Sequence, residues 1–391
     1  SFAPAADAPV LVHHPLHPFS PALFGVDAAF DAQGRVLHRA VEPIAHDARL
    51  LPAAAQMLRE PRDLPSLIKG SVALPGDVDE VLEVTLEDLV AFYKNPSKGF
   101  LHRRLGIYLE DDERALEDRE PPSIEAGLDS WGLRQRTLTQ LLAGEDLESI
   151  YAQCRQAGRL PLGRPGRVTF DQWVGVVPDL VALATPLLEG GASERPLNLQ
   201  LGGVRLVGRL DHLYPAGRVV VQASNTGPKH QVGLWLAHLV HRVVASHTPR
   251  PSYLLGIVNH EADLVTLGTA MPLAEATRCL ETLLIYWRMG QHAPLSFFPE
   301  TSKAYAHKLS KVSQKSKRTP EEQARAAAAK AWNKSNRATA ESHNTYNLAL
   351  YGDRRPFDRD FVWEGLDEAL TVPFDAVARE FWDPFIAEEG P

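Results

Sequence analysis

Near residue 195 the hydrophobic period changes from helical to alternating, and that switch decides what this chain can fold into. Before it, Leu86, Leu89, Val90 and Tyr93 recur at helical spacing behind Thr85-Leu86-Glu87-Asp88, where a hydroxyl precedes an acid by three residues, close to a capping box. Asn95-Pro96 should break that helix, and an apolar pattern interleaved with basic residues resumes over 100–109. The acid-rich run 110–120 reads as a solvated loop. A helical stretch over 134–158, a Pro/Gly turn at 160–166 and a helix over 171–188 follow. Then Leu197, Leu199 and Leu201 alternate with polar residues, 204–210 is apolar, and 218–223 is a β-branched run. Gly202-Gly203 and Pro215-Ala216-Gly217 punctuate them, which predicts a three-stranded meander. A helix over 229–245, strands at 253–258 and 264–267, and a helix over 272–289 complete an α/β domain with a mixed sheet flanked by helices.

The flanks differ in character. Residues 1–50 are rich in Pro, His and Ala without periodicity and read as an arm of a longer chain, with the linker running to residue 84. Seven of the 11 lysines fall between Lys303 and Lys334, so a net charge of −8 conceals a cationic strip on an acidic body. Thr319-Pro320-Glu321-Glu322 is a strong helix start, and the Ala-rich run after it should be helical to about residue 341. The expected divisions are therefore 1–84, a core over 85–300, a basic insertion and helix over 301–342, and an aromatic tail over 343–391 packing on the core.

Several chemistries are excluded. Cys154 and Cys279 cannot make a disulfide framework, a four-cysteine zinc site or a cysteine-ligated cluster. No apolar run approaches the ~18 residues of a membrane span, so no membrane is expected as a partner and the location is expected to be cytoplasmic. Ser97-Lys98-Gly99 is in the wrong order for a phosphate loop, and the glycines of 202–208 precede a strand rather than a helix. His13, His14 and His17 lie in a proline-broken arm, while His238 and His241 lack an accompanying acid; they read as hydrogen-bonded or polar-face histidines, and no metal site is expected.

The informative constellation spans 208–235. Two-metal phosphodiester hydrolysis needs carboxylates on adjacent strands and a lysine to position the attacking water. One common arrangement is an Asp ending one strand, Asp/Glu-x-Lys on the next, and a helix opening Gln-x-x-x-Tyr. Here Gly208-Arg209-Leu210-Asp211 ends a strand and Gln231-Val-Gly-Leu-Trp235 opens a helix, but Gln222 stands at the second carboxylate position and Ser224 at the lysine position. Asp211 alone cannot hold a divalent pair, and catalytic residues are expected to be absent.

This frame is similar to the PD-(D/E)xK nuclease domains of the RecB/AddB type, and 86–109 looks like their opening helix and Pro-x-x-x-Phe segment. The chain more closely resembles the C-terminal part of the RecC family, the gamma subunits of exodeoxyribonuclease V. The ordered landmarks are PLHPFSPALF (15–24), FYKNPSKGFLHRRLGIYL (92–109), AGRLPLGRPG (157–166), VGRLDHLYPAGRV (207–219), LWLAHLV (234–240) and APLSFFPETSKAY (293–305). The resemblance implies a restriction-endonuclease-like core with an inactive site, preceded by a helicase-like region outside this chain. It implies RecB-like and RecD-like partner subunits that carry the ATP and Mg chemistry, and a role in splitting duplex DNA ends and routing the unwound single strands during double-strand-break repair. No cofactor is expected in this chain. Its DNA contacts are expected at Lys303, Lys308, Lys311, Lys315, Lys317 and Arg318, with Lys94, Lys98, Arg103 and Arg104 as a weaker, half-structural second group. Two other readings stay open: an active metal-dependent nuclease that recruits another acid such as Asp263, and a domain that docks protein alone.

Overall fold

The computed structural model describes residues 17–30, 36–40, 43, 47–58, 81–109, 128–245, 247–311, 318–334, 340–363, 366 and 370–389, and the chain divides into two units, 1–65 and 66–391. The first unit holds an antiparallel pair, β1 (Val26–Phe30) and β2 (Val36–Ala40), registered Val26↔Ala40, and a short helix α1 (Leu51–Met57).

The second unit is built on a six-stranded mixed sheet. Strand β3 (Leu82–Thr85) runs directly into α2 (Leu86–Lys94), whose first turn is capped by the Thr85 hydroxyl accepting from the Asp88 amide. Asn95 ends α2 and caps the one-turn α3 (Pro96–Lys98), so the proline breaks the helix where its missing N–H predicts. Four helices follow: α4 (Leu128–Leu142), α5 (Leu147–Gln156), α6 (Arg164–Val174) and α7 (Val177–Ala184). The expected meander is β4 (Ser193–Leu201), β5 (Val204–Tyr214) and β6 (Gly217–Val221), paired antiparallel in that order. Helix α8 (Pro228–Val244) leads to β7 (Ser252–Val258), parallel to β6, and to β8 (Glu261–Leu267), antiparallel to β7. The remaining helices are α9 (Leu273–Met289), α10 (Pro299–Ser310), α11 (Pro320–Trp332), α12 (Thr345–Tyr351) and α13 (Phe374–Glu389).

Alternation along the strands sends neighbouring side chains to opposite layers. Leu254, Val265 and Leu267 pack with α2, α8, α9 and α13, whereas Val219, Leu255 and Ile257 pack with α4 to α7. A third cluster joins Phe298 and Tyr305 of the α10 segment to Trp332, Tyr351, Phe357, Trp363 and Phe374. Phe381, Trp382 and Phe385 of α13 belong instead to the first cluster, where Tyr93 also lies and donates to the Leu283 carbonyl at 2.6 Å.

Six expectations change. The helix over 134–158 is two helices, because Gly144 turns the chain in the left-handed region at φ 90°. The turn at 160–166 already contains the start of α6 at Arg164, and the helix over 171–188 splits because Pro178, in the first turn of α7, cannot continue α6. The segment after Pro299, read only as basic, forms α10, and α11 ends at Trp332 rather than near 341. Strand β3 adds a parallel partner to β5, registered Leu82↔Val204, which a four-residue pattern did not announce. The acid-rich run 110–120 lies outside the described residues.

Candidate nucleic-acid interface

Asp211 sits next to a kink. The non-glycine His212 adopts φ 57°, and the β5–β6 ladder is limited to Leu213↔Arg218 and Tyr214↔Gly217. The kink brings the Asp211 carboxylate to the guanidinium of Arg218, which donates at 3.2 Å, and the His212 ring lies 3.5 Å away on the other oxygen. Arg218 is the buried partner at 10% side-chain exposure, against 49% for Asp211. Burial pushes the Arg218 pKa down and the Asp211 charge opposes that shift. A cation therefore already engages the Asp211 carboxylate.

The other frame positions hold the loop together. The Gln222 side-chain amide donates to the Asn225 carbonyl at 2.7 Å, and its backbone N–H donates to Leu255. The Ser224 carbonyl accepts from the Ile257 amide at 2.9 Å. Gly256 permits this approach: a Cβ there would lie 2.5 Å from the Ser224 carbonyl oxygen. Asp263, the other nearby acid, is opposite Gly256 in the β7–β8 register and accepts from the Thr226 hydroxyl. Gln231 is buried and accepts from the Lys303 ammonium at 2.5 Å.

That contact relocates Lys303. Its side chain is 17% exposed, pairs with Glu389 at 3.4 Å, and lies over the rings of Phe385 and Trp382 at 4.7 and 5.5 Å. Burial lowers its pKa, with Glu389 opposing. The rest of the basic strip is divided. Lys308 is half-buried on α10, Lys311 and Arg318 are exposed, and Lys315 and Lys317 lie outside the described residues. On α11, Arg325 donates to the Phe357 carbonyl, and just beyond the helix Lys334 pairs with Glu300 at 2.6 Å. In the second group Arg103 pairs with Asp88, and Arg104 donates to the Gln291 carbonyl at 3.1 Å.

The structure also assembles a cleft that sequence spacing did not announce. Lys94 from the end of α2, Lys229 and His230 from the first turn of α8, and the start of α10 line a cavity of about 410 Å³ together with 340–347. Lys94 and Lys229 are 135 positions apart in the chain, so their approach could not be read from spacing. His238 donates to or accepts from the Ser252 hydroxyl at 3.0 Å and is fully buried, as is most of His241. Burial first, and surrounding arginines next, push their pKa values down to about 3 and about 4. His238 is thus a neutral imidazole although Glu388 lies 4.0 Å away. Among the described residues, no group of three or more His, Cys, Asp and Glu side chains is placed to hold a metal ion.

Comparison with known proteins gives one consistent set of similarities. A family model described as the RecC C-terminal domain matches residues 82–310. A protein named RecBCD enzyme subunit RecC from Mycobacterium tuberculosis is 26% identical over 392 residues, covering 97% of this chain and 33% of that protein. The Mycolicibacterium smegmatis protein of the same name is 28% identical over 305 residues, and the Escherichia coli one 26% identical over 222 residues, covering 76% and 57% of this chain. The chain spans about a third or less of the length of these relatives.

Proposed function

The chain belongs to the RecC C-terminal domain family, and from that premise we propose that it is a non-catalytic DNA-binding and subunit-assembly part of a RecBCD-type helicase–nuclease. Its core is a restriction-endonuclease-like domain whose site has lost its chemistry. The observation that carries this reading is the Asp211–Arg218 ion pair at 3.2 Å, which engages the frame's one carboxylate while Gln222 spends its amide on its own loop. Removing Arg218 would not restore a site, because Gln222 brings no charge to a divalent pair and Ser224 cannot supply an ammonium.

In this reading RecB-like and RecD-like subunits supply ATP and Mg chemistry, the complex works in the cytoplasm on double-stranded ends and the strands unwound from them, and this chain helps split and route those strands in recombinational repair. The names of the relatives, each a RecBCD enzyme subunit RecC, support the assembly part. The exposed cations Lys311 and Arg318, with Lys308 beside them, support a phosphate-tracking strip that would include Lys315 and Lys317. Arg103 and Arg104 have partners within the fold and make a secondary contact in this reading.

Fluorescence anisotropy with forked and blunt DNA across a salt series tests the DNA role. Neutralising several phosphates gives log affinity falling linearly with log salt, at a slope of roughly −0.9 per contact on duplex. A slope indistinguishable from zero would leave a domain that docks protein alone.

A further inference from the structure

The cleft beside the degenerate motif contains a charge arrangement that the proposed role does not use. Lys94 and Lys229 face the same cavity, and neither has an acidic partner within ion-pair distance among the described residues. Burial lowers the Lys94 pKa and the Lys229 charge lowers it further; His230 is shifted the same way, by burial and then by both lysines. Lys94 is half-buried and Lys229 is exposed at the cavity mouth, so an anion entering the cleft meets one partly desolvated cation and one at the rim.

The acids on the cavity wall do not provide a counterion. Glu300 is taken by Lys334 at 2.6 Å, and half-buried Glu341 accepts from the Glu300 and Thr301 amides at 3.0 and 2.9 Å, so it caps α10. His343 also faces the cavity and is bonded to the Ser342 hydroxyl at 2.9 Å. The first turn of α8, which carries Lys229 and His230, has no side-chain cap. Asn347 lines the same cavity at 5% exposure; its amide donates to the Glu341 carbonyl, and its Oδ1 is buried without a partner. Two uncompensated cations next to an unpaired acceptor form a site for an anion that also bears a donor.

We propose that this cleft binds the phosphate of a nucleotide unit, with Lys94 and Lys229 neutralising it and Asn347 accepting from a hydroxyl or base N–H of the same unit. A cavity of about 410 Å³ falls in the range of small-ligand sites, roughly 300–1,000 Å³. The cleft adjoins the frame, since Asn225 lines it and its carbonyl accepts from Gln222. The nucleotide can come from the end of a strand or from the free pool. The strand source rests on the DNA-binding reading, whereas the site itself does not.

Titration calorimetry of the 391-residue chain with thymidine monophosphate and with a 5′-phosphorylated oligothymidylate tests this. Both probes bind the wild type, and each is weakened at least tenfold in Lys94→Gln/Lys229→Gln. Lys308→Ala/Lys311→Ala leaves monophosphate binding unchanged, and it weakens the oligothymidylate if the basic strip reads DNA. Tighter binding of the oligothymidylate than of the monophosphate assigns the strand as source; equal affinities assign the free nucleotide. Binding of neither probe, or equal binding by wild type and the Lys94/Lys229 variant, overturns the proposal.

Discussion

Arg218 and Lys303 show how single residues change the meaning of a motif. In sequence, Gly208-Arg209-Leu210-Asp211 pointed to a carboxylate, and Gln222 and Ser224 were read as standing where an acid and a lysine are expected. The cation that neutralises Asp211 was not legible, because the pairing depends on the kink at His212, a residue with no local reason to adopt φ 57°. Lys303 was legible as a charge but not as a buried one: its partners Gln231 and Glu389 are 72 and 86 positions away. Lys303→Ala is therefore expected to destabilise the chain by about 1–3 kcal/mol, through the lost ring contacts and the polar groups left unpaired. Denaturant titration reads this, while the salt slope of DNA binding stays at the wild-type value. A second effect at this scale is acid sensitivity. His238 and His241 have native pKa values depressed to about 3 and about 4, so their neutral forms favour the fold. That contribution is full above the ordinary histidine value near ~6.5 and is lost as pH falls through the native values. Between about pH 6 and pH 4.5, stability should fall by up to ~1.4 kcal/mol per pH unit for each of the two. His238→Leu should remove roughly one proton's share of that slope, as read by melts across the pH series.

Among the elements, the long periodic segments were the legible ones. The meander, α8, β7, β8 and α9 stand where alternation and helical spacing put them, because each buries a full stripe or face against another layer. The breaks were less legible. Gly144 and Pro178 act by local backbone limits inside otherwise helical patterns, and β3 is defined by its neighbour β5 rather than by its own four residues. Gly256 connects an element to the site, since it lets the 224–226 loop lie against β7. Gly256→Ala would set a Cβ 2.5 Å from the Ser224 carbonyl and 2.7 Å from the Thr226 methyl. The expected cost is about 1–3 kcal/mol, with loss of protection of the Ile257 amide in hydrogen exchange. By contrast, Thr319→Ala removes a reciprocal capping box in which Thr319 accepts from Glu322 N–H and Glu322 accepts from Thr319 N–H. It should cost about 1 kcal/mol, read by denaturant titration.

At the scale of the whole molecule, charge and core serve different ends. The aromatic clusters tie α10 to α13 onto or beside the sheet, so the segment that carries the cations is anchored by Phe298 and Tyr305 together with Lys303, which reaches Gln231, Glu389 and the ring of Trp382. The formal charge of −8 is the sum of an acidic body and a cationic strip, and in the proposed role that division favours one orientation of approach to DNA. In the proposed reading, what such a body can do chemically depends on Asp211, the one carboxylate among the positions 211, 222 and 224. Incubating the chain with end-labelled duplex and forked DNA in Mg²⁺ or Mn²⁺, beside Asp211→Ala, measures this directly. The account predicts bound but uncut DNA for both proteins, with no metal-dependent product above background. Metal-dependent cleavage by the wild type that Asp211→Ala abolishes would contradict it.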